Sequence, residues 1–189
     1  MGRVIVEQIV SMDGHAEDAD GGIGFFTHGR AITPADAEQL RMPGSVGAIV
    51  LGARTYRMFA DYWPQADPRV EPVAAPIRAL PKFVVSSSLA QAPWGPDQPG
   101  TLLRGDGVTA VRGLRGRITG DLIVWGSLTL CDALLRAGEV DVLRLRIVPV
   151  LLGHGRPFAP LGIYQHAWSL AQAKPFEGGL VVLEYHAAR

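Results

Sequence analysis

The sequence predicts an α/β fold, with a mixed, mostly parallel β-sheet flanked by helices and an antiparallel carboxyl-terminal edge. Three observations lead to this prediction. Short apolar runs alternate with segments of helical spacing through most of the chain, which is the order that gives parallel strands joined by helices. Two of these runs end in a glycine just before a helix begins. From Val142 onward the patterned segments are strand-like, so the last strands are expected to pair antiparallel.

Composition limits the class of protein. The chain has 189 residues, 48% of them hydrophobic, which is enough for the core of a single domain spanning residues 1–189. The formal net charge is zero and the arginines are scattered, which argues against a nucleic-acid or membrane-surface partner. The single cysteine, Cys131, lies in an apolar helical stretch and is interpreted as a core residue. No signal sequence or long apolar run is evident, so we expect a cytoplasmic location.

The first strand is predicted at Arg3–Val10, which is β-rich and mostly apolar, as in a central strand. The next stretch, Ser11–Gly29, is rich in glycine and acidic residues and has no period, which is typical of a functional loop. Phe25 and Phe26 favour an ordered lid over a solvated linker. Asp13, where the lid begins, either touches the substrate or its proton or is only part of an Asp-Gly turn.

A helix is predicted after the lid. Thr33 as the N-cap, Pro34 at the first helical position and Asp36 in the first turn form the usual start of a helix. Pro43 and Gly44 end it. An acid in the first turn stabilises the helix dipole, and this role is sufficient to explain Asp36.

The central feature of the chain is a strand-to-helix junction. Val46–Leu51 predicts a strand buried on both faces, and Gly52 separates it from a helix that opens with Arg54 and Thr55. The first helical turn has unpaired N–H groups and partial positive charge, and an arginine can bind a phosphate with two hydrogen bonds. We interpret this junction as a phosphate-binding turn. The alternative is a surface helix with an ordinary arginine.

The middle of the chain combines an irregular stretch with a third strand. Five prolines within Tyr62–Pro81 exclude a long regular element and leave room for one short helix. Lys82–Leu89 predicts a strand whose carboxyl end carries three serines, Ser86, Ser87 and Ser88. Their hydroxyl groups either form turns or donate to phosphate or ribose oxygens.

A second strand-to-helix junction follows. Gly107–Leu114 predicts a helix, Asp121–Trp125 a short strand and Leu128–Ala137 a further helix. Gly126 and Ser127 separate that strand from its helix, which repeats the design of the first junction. Two such junctions can place two helix N-termini against one pyrophosphate.

Three strands are predicted in the carboxyl-terminal quarter. Val142–Val148 alternates apolar residues with Arg144 and Arg146, the pattern of a strand with one solvated face. Trp168–Ala173 and Leu180–His186 are the other two strands. An open apolar edge invites pairing with another chain, so we expect a two-fold homodimer that buries part of this region.

Several common site motifs are missing. The glycine triplet of a Rossmann fingerprint, the P-loop and the G-x-S-x-G elbow of serine hydrolases do not occur. The five histidines have no partner three or four residues away and no cysteine beside them. We therefore expect no metal site.

Five segments, in this order and at these separations, carry a family resemblance: Val10–Gly14, Leu51–Pro64, Lys82–Leu89, Ile123–Leu135 and Val140–Phe158. Together they span almost the whole chain. They resemble the dihydrofolate reductase fold family, and within it the stand-alone proteins similar to the carboxyl-terminal reductase domain of the bifunctional riboflavin-biosynthesis deaminase-reductase. The resemblance implies a three-layer α-β-α dihydrofolate reductase-like fold and a homodimer.

The resemblance also implies NADPH as the cofactor, held by Gly52, Ala53, Arg54, Thr55, Ser86, Ser87, Ser88, Gly126, Ser127 and Leu128. Arg54 and the serines would lie near the adenosine 2′-phosphate, and the two helix N-termini would bracket the pyrophosphate. The family's turn usually reads Gly-Arg-Arg-Thr, so Ala53 removes one basic residue. Asp36 stands where folate-type reductases carry a catalytic carboxylate, which this subgroup does not reliably keep.

The expected reaction is hydride transfer from NADPH to a C=N or C=O bond of a small, pteridine- or pyrimidine-like substrate. It would be similar to the reaction of 5-amino-6-(5-phosphoribosylamino)uracil reductase. The cofactor carries the difficult chemistry, while the protein supplies orientation, a dry pocket and, in some reactions of this kind, a proton. Asp13 and Asp36 are the candidate catalytic residues. The alternatives are a nucleotide-binding protein without turnover, acting as a sensor or scaffold, and a reductase that uses a flavin.

Overall fold

The computed structural model describes residues 2–26, 46–95, 99–163 and 166–188. The strands of its main sheet are β1 Val4–Ser11, β3 Val46–Gly52, β4 Lys82–Val85, β5 Thr101–Leu103, β6 Asp121–Trp125, β7 Val142–Val148, β9 Trp168–Pro175 and β10 Val181–Ala187. A separate two-stranded ribbon pairs β2 His15–Glu17 with β8 Arg156–Pro157. The helices described are α1 Ala53–Tyr62, α2 Ala74–Ala79, α3 Gly107–Arg115, α4 Leu128–Arg136 and a short 3-10 helix, Gly24–Phe26.

The eight strands of the main sheet lie in the order β5-β4-β3-β6-β1-β7-β10-β9. Pairing is parallel from β5 to β7 and antiparallel between β7, β10 and β9. This confirms the predicted mixed sheet, and β1 is a central strand, as expected. The carboxyl ends of β4, β3, β6, β1 and β7 consequently meet along one edge of the sheet.

Helices cover both faces of the parallel part of the sheet. Along β1, Val4 and Val6 pack in one core cluster with residues of α3 and α4. Ile5, on the opposite face, packs in a second cluster with residues of α1 and α2. Because both faces are covered, the central strands are continuously apolar, as the sequence indicated. The arrangement is the predicted three-layer α-β-α sandwich.

Most predicted elements are found close to their predicted positions. In the proline-rich stretch, α2 is the one short helix that was expected. The third strand is shorter than predicted, since β4 ends at Val85 and the three serines lie in the turn that follows. The strand β5 had not been predicted. The predicted helix that begins at Thr33, and Asp36 with it, lie outside the described residues.

The predicted solvated face of β7 is wrong. Arg144 and Arg146 are each only 5% exposed. Arg144 Nη1 lies 3.2 Å from Glu7 Oε2, and Arg144 Nη2 lies 2.5 Å from Glu184 Oε2. Both acids are in register with Arg144 on the neighbouring strands, so the guanidinium group is neutralised from two sides. Alternation of charged and apolar residues cannot distinguish a solvated face from a face of paired charges.

Candidate functional site

The two predicted strand-to-helix junctions lie against each other. The backbone N–H of Gly52, at the end of β3, donates to Ser127 Oγ over 2.5 Å. The backbone N–H of Ser127 donates to Thr55 Oγ1, in the first turn of α1, over 2.8 Å. These contacts are possible because β3 and β6 are neighbours and run parallel. The structure therefore brings together two junctions that are far apart in the sequence.

The helix starts at these junctions carry no side-chain cap within the described part of the chain. Neither Gly52, the N-cap of α1, nor Ser127, the N-cap of α4, caps its helix with a side chain. In contrast, Asp106 caps α3 by accepting from the N–H of Thr109 over 2.8 Å. Uncapped N–H groups and the positive end of the helix dipole favour an anion. Both junctions thus have the properties of a phosphate site.

The turn before α4 has an unusual backbone. Gly126 and Ser127 both adopt left-handed conformations, with φ of 56° and 57°. Ser127 is the one non-glycine residue with positive φ among the residues described. A Cβ atom at Gly126 would lie 2.9 Å from Thr55 Cγ2, so glycine is required by both conformation and space. A strained backbone of this kind is often found at functional sites.

Arg54 contacts the lid in this structure. Its side chain is 61% exposed, and Nη1 lies 2.9 Å from Glu17 Oε1 on β2. Nη2 donates to the carbonyl of Gly21. The side chain that was predicted to bind the 2′-phosphate therefore links α1 to the acidic loop, and Ala53 beside it supplies only backbone groups.

The three serines form the turn after β4. Ser86 is buried, and its Oγ accepts from the N–H groups of Ser88 and Leu89 over 3.2 and 3.1 Å. Ser86 is thus a turn former, whereas Ser87 and Ser88 are exposed.

Arg104 was missed by sequence reasoning. This exposed residue follows β5, and its Nη1 donates to the Ser86 carbonyl over 3.0 Å. A second bond runs from its Nη2 to the carbonyl of Leu89. Recognising β5 as a partner of β4 would have placed this arginine beside the serines.

Asp13 forms part of a turn at the end of β1. Its carboxylate accepts from Ser11 Oγ over 2.6 Å and from the N–H groups of Gly153 and Leu152 over 2.6 and 3.2 Å. These hydrogen bonds, with Ser11 the largest contributor, lower the pKa of Asp13 well below its ordinary value. The N–H of Gly14 closes the turn on the Ser11 carbonyl over 3.0 Å. The geometry favours the turn interpretation, since an acid of this kind stays ionised at neutral pH.

Further contacts order the described part of the lid. The β2 strand pairs with β8. The Asp18 carboxylate accepts from the Gly22 N–H over 2.5 Å and closes the loop. Phe25 and Phe26 meet edge to face, with ring centroids 5.6 Å apart, and pack on a small cluster that includes Val148. The two aromatic residues thus anchor the lid to the sheet.

The cysteine prediction is confirmed. Cys131 is fully buried, and burial raises the pKa of its thiol to about 12.

In the described ranges, no group of three or more His, Cys, Asp or Glu residues is arranged to hold a metal ion. Within the same ranges, no helix has the length and apolar character needed to cross a membrane.

The order of the strands adds a topological argument. From β3 the chain extends outward to β4 and β5 and then returns to place β6 on the other side of β3. In α/β sheets, ligands bind at the carboxyl edge where the strand order reverses in this way. Both uncapped helix starts lie at this point. The fold, together with the two helix starts at this edge of the sheet, defines an α/β protein of the dihydrofolate reductase-like class.

Within this class, the chain belongs to the RibD C-terminal domain family, whose model matches residues 3–182. It is 23% identical to the uncharacterized protein YyaP of Bacillus subtilis over 187 residues, which cover 97% of this chain and 94% of that protein.

Solved structures share the fold. A Shewanella sp. PV-4 protein provisionally assigned to riboflavin biosynthesis has a TM-score of 0.78 and 21% identity, with 99% of each chain covered. A Thermotoga maritima diaminohydroxyphosphoribosylaminopyrimidine deaminase/5-amino-6-(5-phosphoribosylamino)uracil reductase has a TM-score of 0.68 and 15% identity, over 99% of this chain and 57% of that one. Enterococcus faecalis dihydrofolate reductase, in complex with NADP(H), has a TM-score of 0.60 and 14% identity, over 100% and 98%. The chain thus shares its fold with proteins that are named as reductases.

Proposed function

We propose that this protein is an NADPH-dependent reductase that transfers a hydride to a C=N or C=O bond of a small, pteridine- or pyrimidine-like substrate. The observation that carries the proposal is the pair of uncapped helix starts, joined by hydrogen bonds from Gly52 to Ser127 and from Ser127 to Thr55. Membership of the RibD C-terminal domain family supports the reaction class. The reductase activity named for the Thermotoga maritima relative points to a similar substrate.

The residues at this edge fit a dinucleotide. The first turns of α1 and α4 offer N–H groups to the two phosphates. The glycines at positions 52 and 126 let the two junctions approach closely, because a Cβ atom at Gly52 would lie 3.0 Å from Ser127 Oγ and one at Gly126 would lie 2.9 Å from Thr55 Cγ2. When bound, NADPH would supply the hydride, and the chain would orient it and exclude water.

Preference for NADPH over NADH would come from the basic residues around the serines. Arg54 lies on the first turn of α1, and Arg104 lies beside the exposed Ser87 and Ser88. Guanidinium groups bind phosphates with two parallel, charge-assisted hydrogen bonds. We infer that Arg104, together with the serines, shares the 2′-phosphate with Arg54, and that this compensates for the alanine at position 53.

The two candidate carboxylates have different roles in this proposal. Asp13 holds the end of β1 to the loop at Leu152 and Gly153, and its lowered pKa makes it a poor proton donor. Its role is therefore to position the lid. Asp36, outside the described residues, remains the candidate for a carboxylate near the reacting atoms.

A thermal-shift panel tests the cofactor. NADPH at a hundredfold excess over its Kd should stabilise the native protein by about 2.7 kcal/mol, and NADH should stabilise it less at equal concentration. Equal shifts with NADPH and NADH, or none with either, would contradict the proposal.

The same panel tests the alternatives. Folates in the panel test the substrate class, and a shift with FMN alone would favour a flavin enzyme. Tight NADPH binding with no oxidation of NADPH by any C=N or C=O compound would favour a sensor or scaffold.

A further inference from the structure

A buried glutamine lies close to the nucleotide edge. Gln8 is 5% exposed in the middle of β1, and the flanking residues on the same face, Val6 and Val10, belong to the aliphatic core. Burying an amide group in apolar surroundings is costly unless the amide is hydrogen-bonded. The hydrogen-bond partner of the Gln8 amide therefore indicates the role of this residue.

The Gln8 amide binds the turn before α4. Its Nε2 donates to the carbonyl of Gly126 over 2.9 Å and lies 3.1 Å from Cys131 Sγ. The Cys131 thiol donates to the same carbonyl over 2.9 Å. A side chain from β1 thus reaches past its own strand to the backbone of the strained left-handed turn.

One peptide plane is held from both ends. The Gly126 carbonyl and the Ser127 N–H belong to the same peptide group. Gln8 binds its oxygen from β1, and Thr55 binds its N–H from α1 over 2.8 Å. Rotating this peptide would break both bonds. A non-glycine residue in a left-handed conformation is strained and persists only when its surroundings hold it there.

We propose that Gln8 is a positioning residue of the nucleotide site. By holding the Gly126–Ser127 peptide in one orientation, it directs the first turn of α4 toward the pyrophosphate of the dinucleotide. The inference rests on the proposed function, because it names a residue that prepares the same site without touching the ligand.

The variant Gln8→Met removes the amide donor and nearly keeps the volume. Methionine suits the aliphatic cluster, and the Gly126 carbonyl keeps its bond from Cys131, so the unfolding midpoint should change little. Val6→Ala is the matched control. Val6 lies on the same strand and face and is also buried, and its truncation leaves a cavity without removing a hydrogen bond to the turn.

Two measurements on the full chain separate positioning from packing. In the free protein, amide hydrogen exchange at Ser127 should accelerate about tenfold in Gln8→Met, the factor that one hydrogen bond is worth. NADPH titration should show a Kd raised by about the same factor. Val6→Ala should lower the unfolding midpoint, with a Kd within about twofold of wild type because the turn is unaltered.

Unchanged exchange at Ser127 and unchanged Kd in Gln8→Met would overturn the inference, as would equal effects in the control. Gln8→Leu, which also lacks the donor, replaces Gln8→Met if that variant does not fold. If the wild-type protein does not bind NADPH, the proposed function fails. The exchange comparison in the free protein still decides whether Gln8 holds the turn.

Discussion

At the scale of single residues, the two arginines of the edge differ in their present contacts. Arg54 is bound to Glu17 and to the Gly21 carbonyl of the lid, whereas Arg104 is bound to backbone carbonyls in the serine turn. Both arginines are exposed residues. A bound phosphate would accept hydrogen bonds from these guanidinium groups, and it would compete there with the contacts that the two arginines already make.

The first prediction concerns these arginines. Arg54→Ala and Arg104→Ala should each weaken NADPH binding by roughly 1.5–3 kcal/mol, the usual contribution of a charge-assisted contact, and leave NADH binding nearly unchanged. Calorimetric titration with both nucleotides measures the difference. Arg69→Ala is the control, because Arg69 is exposed and paired with Asp67 in the proline-rich stretch. Equal losses for NADPH and NADH would remove the 2′-phosphate assignment.

A second prediction concerns Asp13. Its pKa is lowered in the native state, so its ionised form contributes stability that is fully present above the ordinary pKa of an aspartate, about 3.9. This contribution is lost as the pH falls toward the native pKa. Asp13→Asn should therefore be less stable than wild type at pH 7, and the difference should narrow below about pH 4.

Urea unfolding of both proteins at several pH values measures this difference. Asp20→Asn is the control, since Asp20 is exposed in the same lid. A difference between Asp13→Asn and wild type that does not vary with pH would show that the Asp13 carboxylate contributes through its shape and not through its charge.

At the scale of elements, the lid and α1 are joined by an ion pair that a ligand would have to replace. Glu17 lies on β2, which pairs with β8, and Gly155 on the adjoining loop approaches the backbone of Glu17 closely. A Cβ atom at Gly155 would collide with the Glu17 carbonyl, and φ there is 125°. The lid is thus fastened to the loop before β8 by its backbone, and to α1 by the Glu17 side chain and the Gly21 carbonyl.

The third prediction follows from this ion pair. If the nucleotide competes with Glu17 for Arg54, Glu17→Gln should improve NADPH affinity by at most about fivefold, because an exposed ion pair contributes less than about 1 kcal/mol. Amide exchange in residues 15–26 should also be faster in the free variant. Glu177→Gln, an exposed acid in the turn between β9 and β10, is the control. Weaker NADPH binding in Glu17→Gln would mean that the closed lid assists the ligand.

At the scale of the whole molecule, the sheet ends in an uncovered strand. Residues 169–173 of β9 are exposed and uncharged, and Leu170 is 55% exposed. The one charged residue of β9, Lys174, lies with its Nζ 5.4 Å from the ring centroid of Phe176. Every residue of the neighbouring β10 is half-buried. An exposed, uncharged stretch of edge strand tends to pair with another chain.

The fourth prediction is a two-fold homodimer that covers this edge. Light scattering should give the mass of a dimer, and Leu170→Lys should shift the protein toward monomer, because a lysine on an edge strand opposes pairing. Leu161→Lys, at a site that is 82% exposed, should leave the dimer intact. A monomer that persists over the whole concentration range would contradict the homodimer.

The sequence by itself determined the elements and the two junctions of this protein. The apolar run that became β3, the glycines at positions 52 and 126, and the strand-only carboxyl-terminal region are local signals, because backbone preference and side-chain periodicity act over a few residues. These signals were sufficient for the mixed sheet and for the expectation that two helix starts face one ligand.

Only the tertiary structure decided which distant groups meet. Strand order brings three sets of groups together. Arg144 is buried against Glu7 and Glu184. Arg104 lies beside the serines, and the Gln8 amide donates to the Gly126 carbonyl. The partners in these contacts lie up to 137 residues apart, as for Glu7 and Arg144. The order of the strands is determined by the packing of the whole core. A local sequence pattern therefore does not indicate which strands become neighbours.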